Sequence, residues 1–393
     1  MKDNILEKGG RKQVHFGLTE EQKYIKAAAR EFAEGEFQPE IARECDQKHE
    51  FPETIYKKAA KLGFIGCYFD EKYGGQGLGL LENVLMEEEF CRVDSTLGSA
   101  MFAGLFGSDV ILEYGTEEQK KKYLPKSAKG EWVSAGAFTE PAHGSDVTVM
   151  DTTAVPDGDE YIINGSKTMI TNAPIADYAV VLCQTDSEAR HKGQSLFVVK
   201  KGTQGFDCNE LAGKMGIRAS LLGEYSFSDV RVPKEALVGE ENKGFYHFLE
   251  FIDIGRINVA AQSVGMAQGA LERALKYAKQ REQFGQKIAD FQVIQHKLAD
   301  MALDIESARL LTYKAAWHVD QGKIVPKWAC MAKTLATTNA MRVISEAMQI
   351  FGGYGYLADY DIERYYRDIR ISAIYEGTTE IQKNVVARIL LRE

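Results

Sequence analysis

The chain has 393 residues, of which 45% are hydrophobic and 27% charged. That is the mix of a globular protein, and at roughly 150 residues per domain it predicts two or three domains. A balance of 48 basic against 57 acidic residues gives −9, which argues against a nucleic-acid binder lacking a basic face, while a local Arg or Lys can still hold a small anion. No run of about 18 uncharged apolar residues reads as a membrane span, and the opening residues, with Lys2, Asp3, Glu7, Lys8, Arg11 and Lys12, do not read as a secretory leader.

The 6 cysteines and 7 histidines are scattered, without CxxC, HxxxH or HExxH spacing. Reduced thiols in a cytoplasmic compartment, and no metal site, are the expectation.

Three regions follow in chain order. From about Phe16 to Gly130 the period is helical: Thr19-x-x-Gln22 reads as a capping box, and helices are expected over Pro52–Leu62, Leu81–Phe90 and Ser95–Tyr114. Gly115 and Thr116 read as a stop followed by a new N-cap. From about Glu131 to Gly239 short β-type runs replace the helices. Asn164-Gly165 predicts a type I′ hairpin turn, with further strands at Ala179–Leu182, Ser195–Val199 and Tyr225–Val232. Strands without intervening helices predict an antiparallel barrel or sandwich.

From about Asn242 the helical period returns. Ile257, Ala261, Val264, Ala267 and Leu271 mark one helix, and Ile294, Leu298, Met301, Ile305 and Ala308 a second. Pro326 opens a third, to Ile350, and Thr379-x-x-Gln382 caps a last one, so a four-helix bundle joined by short links is expected. The fold class is thus α+β, mostly α: an N-terminal helical domain over 1–130, a β domain over 131–240 and a C-terminal helical bundle over 241–393.

The nucleotide fingerprints fail. Gly74 to Gly79 does not match GxGxxG, no GxxxxGK[ST] occurs, and GxSxG is absent. Three segments stand out. Phe138 to Asp146 is a hydroxyl- and glycine-rich turn that suits a phosphate or a flavin edge, or is a plain capped loop. Arg281-Glu282-Gln283-Phe284-Gly285 reads locally as a solvated helix end. Glu376, between Tyr375 and Gly377, is pulled two ways: burial beside an aromatic raises its pKa toward that of a useful base, and the helix N-terminus that follows lowers it. On local sequence alone a capping or surface glutamate is the plainer reading.

The order of the motifs is more telling than any one. Thr139-Glu140-Pro141-x-x-Gly144-Ser145-Asp146, Lys167-x-x-Ile170-Thr171-Asn172, Arg281-x-x-Phe284-Gly285, Gln349-x-x-Gly352-Gly353-x-Gly355 and Tyr375-Glu376-Gly377-Thr378 together resemble the acyl-CoA dehydrogenase family, from about residue 16 to the C-terminus. Asp253 to Leu311 looks most like the short-chain (butyryl-CoA) type.

The resemblance implies FAD held between the β domain and the bundle. Phe138, Thr139, Ser145, Met169, Ile170 and Thr171 would face the isoalloxazine. Arg281, Phe284, Gln292, Gln349, Gly352 and Gly353 would reach the FAD of a neighbouring subunit, and Thr378 and Glu380 would touch FAD near the last helix. Ser145, Asp253 and Arg256 match positions that hold the CoA thioester arm, with Tyr375 and Gly377 also against substrate.

Glu376 matches the catalytic base. A subset of the family takes its base from positions that here hold Ile254 and Gly255, which leaves Glu376 alone. The resemblance further implies a cytoplasmic homotetramer (a dimer of dimers) in fatty-acid β-oxidation that passes electrons from a short, small branched or cyclic acyl-CoA to an electron-transferring flavoprotein. In glutaryl-CoA dehydrogenases an arginine binds the distal carboxylate where this chain has Gly98, which argues against a dicarboxylic substrate.

Three positions depart from the family pattern. Met169 and Gly136 stand where aromatics are usual, and His143 where a small residue is. An enoyl- or arylacryloyl-CoA reductase of the same fold, and a non-catalytic helical scaffold, remain as rivals.

Overall fold

The computed structural model describes residues 17–323 and 325–392; the residues read above for a leader lie outside these, as does Phe16. The chain begins with α1 (Glu20–Glu36), α2 (Pro39–Lys48), α3 (Glu53–Lys61), α4 (Leu80–Val93), α5 (Ser95–Ala103), α6 (Ser108–Tyr114) and α7 (Glu117–Ala128). Thr19 and Gln22 close the expected capping box on α1, and Thr116 with Gln119 repeats it on α7.

The single helix expected over Ser95–Tyr114 is two. A Cβ on Gly104 would stand 2.4 Å from the Tyr56 hydroxyl and one on Gly107 2.5 Å from the Ala135 carbonyl, so the chain is pinched here between α3 and the sheet. This is also the one stretch among the described residues apolar enough to pass for a membrane span, and 72% of its most apolar window is buried inside the protein.

The central region supplies β1 (Ser134–Ala137), β2 (Thr153–Asp157), β3 (Glu160–Thr171), β4 (Tyr178–Gln184), β5 (Gln194–Lys200), β6 (Phe206–Glu210), β7 (Leu222–Pro233) and β8 (Leu237–Val238). They form one open sheet, ordered β6-β7-β3-β2-β4-β5-β8 with β1 beside β4. The class matches the expectation, but the sheet is neither a closed barrel nor purely antiparallel. β1 runs parallel to β4, with Ser134 opposite Tyr178 and Ala137 opposite Val181. Parallel neighbours need a long crossover, and residues 138–177, carrying the β2–β3 hairpin, provide it.

That hairpin does not turn at Asn164-Gly165. It turns between Asp157 and Glu160, with Gly158 at φ +63, and β3 continues straight through to Thr171. Gly165 instead marks a bulge in β3: its Cβ would lie 2.6 Å from Thr152 Cα, so only glycine permits that approach.

The chain ends in α8 (Gly244–Gln280), a small hairpin of β9 (Glu282–Gln283) and β10 (Gln286–Lys287), α9 (Gln292–Asp320), α10 (Pro326–Phe351), α11 (Ile362–Ile369) and α12 (Thr379–Leu390). The link between α9 and α10 is short, as expected; the other two are not. α12 is only 12 residues long, and α4 fills out the bundle. Leu80, Leu81, Val84 and Cys91 share one core with Ile257, Val264, Met301, Ile305 and Val343.

Gly265 and Gly269 make the α4–α8 crossing possible: a Cβ on them would meet the carbonyls of Glu88 at 2.3 Å and Arg92 at 2.1 Å. The last helix is capped one residue earlier than expected. The Thr378 hydroxyl accepts from the Ile381 N–H, and Gln382 turns elsewhere.

Candidate active site

Two of the sequence motifs are bolted together by a buried ion pair. Lys167 Nζ donates to Glu140 Oε1 at 2.7 Å and to the Phe138 carbonyl at 3.2 Å, and both side chains are shut off from solvent. Desolvation opposes ionisation of Glu140, but Lys167 and the N–H groups of Asp151 and Thr152 outweigh it and hold its pKa below the ordinary value. These commitments also explain why the neighbouring Glu140–His143–Asp151 cluster does not read as a metal site. His143 is a loop residue 3.4 Å from Asp151.

Around this anchor the candidate flavin-facing residues divide. Phe138 packs inward against Phe248 and Phe251, and Ile170 is in the sheet core, so both present backbone rather than side chain. Met169 is 62% exposed, at φ +56 in a second bulge of β3. Thr139 and Thr171 are half-buried and Ser145 is exposed. Gly136 has no room for an aromatic: its Cβ would stand 2.6 Å from the Phe138 ring and 2.8 Å from that of Phe106.

The Glu376 loop joins α11 to α12. Glu376 at φ +53 and Gly377 at φ +82 are consecutive left-handed residues, a conformation that costs a non-glycine residue about 1–2 kcal/mol. Buried side chains hold it. Lys333 Nζ, from α10, donates to the carbonyls of Tyr375 and Gly377 at 2.5 Å each. Gln382 Nε2 donates to those of Glu376 at 3.0 Å and Gly377 at 2.9 Å.

The Glu376 carboxyl has no hydrogen-bond partner among the described residues, and its Oε2 is buried. It occupies the space that Gly255 leaves on α8, where a Cβ would come within 2.8 Å of Oε2. Burial raises its pKa to about 7 although Lys333 and Arg256 pull it down. Desolvation thus outweighs the two nearby cations.

Arg256 and Asp253 are both buried and bonded to each other at 2.5 Å, with Arg256 beside Gly377. Tyr375 donates its hydroxyl to Gln262, whose amide donates to the buried Glu87. Nearby, Tyr68 donates to Asp109. Burial first, and then Glu113 and Glu376, push Asp109 up to about 7. Gly98 cannot take a side chain at all: its Cβ would strike the Cys91 backbone at 2.6 Å. Its glycine therefore reflects helix crossing rather than substrate choice.

The remaining motif residues sit elsewhere. Arg281, Gly352 and Gly353 line a surface groove of about 410 Å³ with Tyr277, Phe351 and Tyr354. A Cβ on either glycine would meet nothing within 4 Å, so these glycines are open rather than packed. Phe284 is 94% exposed at φ +54, and Gln292 and Gln349 are exposed. Arg281 follows Arg256 by 25 residues along α8, about 37 Å at 1.5 Å per residue, so the groove and the Glu376 cavity are different places. Thr378 is half-buried at its cap and Glu380 is exposed.

Lys333, Gln382, Tyr68 and Asp109 escaped the sequence reading. The signal for Lys333 was there: it interrupts the small apolar face Ala329, Ala332, Ala336, Ala340 of α10, a core position where a lysine needs a reason.

A desolvated carboxyl on a clamped loop is the equipment of an acid–base enzyme. Family models for the N-terminal, middle and C-terminal domains of acyl-CoA dehydrogenase match residues 19–131, 135–230 and 242–391. The chain belongs to the acyl-CoA dehydrogenase family, and it is an oxidoreductase of that FAD-dependent fold.

It is 44% identical over 380 residues to the short-chain-specific acyl-CoA dehydrogenase of Clostridium acetobutylicum, covering 96% of this chain and 100% of that one. It is 43% identical over 378 residues, 96% and 100% of the two chains, to the caffeyl-CoA reductase-Etf complex subunit CarC of Acetobacterium woodii. The structure of butyryl-CoA dehydrogenase from Megasphaera elsdenii superimposes with a TM-score of 0.93 at 41% identity, covering 96% of this chain and 100% of that one.

Proposed function

We propose that this protein introduces an α,β double bond into a short, small branched or cyclic acyl-CoA, with Glu376 as the catalytic base. The observation that carries this reading is the Glu376 carboxyl, with Oε2 buried and no hydrogen-bond partner among the described residues, in the space left by Gly255. The FAD-facing roles stay with Phe138, Thr139, Ser145, Met169, Ile170, Thr171, Thr378 and Glu380, with Phe138 and Ile170 contributing backbone. The open apolar face of Met169 and the unbonded, buried Gln382 Oε1 are the kind of surface that such a group would cover.

Bound FAD supplies the hydride acceptor. The chain's own residues do the rest. The N–H of Glu376 takes part in none of the fold's backbone hydrogen bonds and donates to the thioester carbonyl, which acidifies the α-carbon; a donor of this kind is worth about 2.7–4 kcal/mol. The Glu376 carboxylate removes the α-proton, typically worth ~10²–10⁴-fold. Ser145, Asp253 and Arg256 hold the CoA arm, and Tyr375 and Gly377 line the reacting carbons.

Arg281, Phe284, Gln292, Gln349, Gly352 and Gly353 are assigned to the FAD of a second subunit, because the open groove that Arg281, Gly352 and Gly353 line lies about 37 Å of helix from Arg256. That makes assembly, as a tetramer, part of cofactor binding. Electrons leave to an electron-transferring flavoprotein, in keeping with the Acetobacterium woodii relative. That relative is a caffeyl-CoA reductase subunit, which also supports a second reading, reduction of an enoyl- or arylacryloyl-CoA, in which Glu376 returns the proton.

An anaerobic titration with saturated and matching enoyl esters tests both. Bleaching of the flavin band by a saturated ester supports dehydrogenation. Reoxidation of reduced protein by enoyl esters, without bleaching by saturated ones, supports reduction. Protein that stays colourless with added FAD overturns both and favours the scaffold.

A further inference from the structure

The clamp on the Glu376 loop holds more than a backbone shape. Lys333 is 1% exposed, and among the described residues no carboxylate lies within ion-pair distance of it. Burying an ammonium costs several kcal/mol, and two neutral carbonyls offset that only in part. The charges facing Lys333 are Glu376, which favours the ammonium, and Arg256 from α8, which opposes it; Cys330 lies one turn earlier on its own helix. Glu376 in turn faces Lys333 from α10, Arg256 from α8, Asp109 from α6 and Tyr375 on its own loop.

The backbone geometry adds a second constraint. With Glu376 and Gly377 both left-handed, the carbonyls of Tyr375, Glu376 and Gly377 are all collected by two buried donors, Lys333 and Gln382. Their acceptor ends are thereby withdrawn from the cavity. Among the described residues the N–H of Glu376 has no partner, which leaves it free for a substrate oxygen.

We propose that Lys333 is a positioning residue with two separable effects: with Gln382 it aims the Glu376 N–H at the thioester carbonyl, and its charge keeps the Glu376 carboxyl ionised once substrate has excluded water. The proposal rests on Glu376 being the base. Burial lowers the Lys333 pKa to about 8, so the ammonium persists through neutral pH.

The test uses FAD-loaded protein and three variants. Lys333→Gln keeps a donor and removes the charge, Lys333→Met removes both, and Gln382→Met removes only the second donor. Two quantities are read: the acid limb of the kcat–pH profile, and the infrared C=O stretch of an acyl-CoA labelled at the thioester carbon, bound in a Glu376→Gln background.

Lys333→Gln should move the acid limb upward by about one pH unit, a tenfold loss at low pH, and leave the carbonyl stretch near its native position. Gln382→Met should leave the limb in place and return the stretch toward its value in water. Lys333→Met should do both. Should Lys333→Met fail to fold, the other two still decide.

An unmoved limb in Lys333→Gln overturns the charge effect, and an unmoved stretch in Gln382→Met overturns the aiming effect. Full turnover in Glu376→Gln alone would instead overturn the assignment of the base, a distinct failure.

Discussion

Gly255 illustrates how much of this site depends on single atoms. It leaves the room into which the Glu376 carboxyl projects, and a methyl group there would sit 2.8 Å from Oε2. Gly255→Ala should therefore displace the carboxyl while leaving α8 intact, lowering kcat by roughly 10²-fold, the scale of a 1 Å misplacement. Steady-state kinetics with circular dichroism checks it, and an unchanged kcat would reject the placement.

The pH dependence belongs to the same carboxyl. Its pKa is raised to about 7 by burial, and as the proposed base it would work ionised, so kcat should climb as pH rises through about 7 and fall away on the acid side. A profile flat from pH 5 to 8 would contradict it. In the sequence the direction of this shift was undetermined, because burial and the helix N-terminus oppose each other and burial is a tertiary property.

At the scale of elements, two of the motifs turn out to be joined to each other. Glu140 on the turn after β1 and Lys167 on β3 are 27 residues apart and bonded in the interior. Lys167→Met should leave the Glu140 charge buried without its counter-charge, destabilising the fold by ~3–5 kcal/mol and loosening flavin. The double variant Lys167→Met/Glu140→Gln should recover part of that in a denaturant titration. Equal stability of the single variant and wild type would show the pair to be idle.

Most helix positions, the Thr19 capping box and the Thr116 N-cap were legible because they depend on local spacing and on side chains three residues apart. Strand pairing was not. Asn164-Gly165 has the composition of a turn, yet Gly165 is glycine because Thr152 presses on it from a neighbouring strand. The parallel β1–β4 pairing depends on a crossover that no local pattern announces. The early break at Gly104–Gly107 has the same origin, contacts with Tyr56 and Ala135 far along the chain.

Across the whole molecule the helical, β and helical stretches share cores. α4 belongs to the N-terminal stretch and packs within the C-terminal bundle, because Gly265 and Gly269 let two backbones touch. The consecutive acids Glu87, Glu88 and Glu89 of this helix are buried, with Lys26, Arg30 and Arg309 in place around Glu88 and Glu89.

The exposed groove at Arg281 carries the assignment of a second subunit's cofactor. Arg281→Ala should lower FAD content on purification and shift the protein toward smaller assemblies in sedimentation velocity. Full flavin occupancy with unaltered assembly would reject that role.

The account turns on the chemistry of one side chain. Holoprotein carrying Glu376→Gln, mixed anaerobically with a saturated acyl-CoA that bleaches the native flavin, isolates it. The expected result is a yellow protein that shifts its spectrum on binding the ester but bleaches ~10²–10⁴-fold more slowly; bleaching at the native rate would place the base elsewhere.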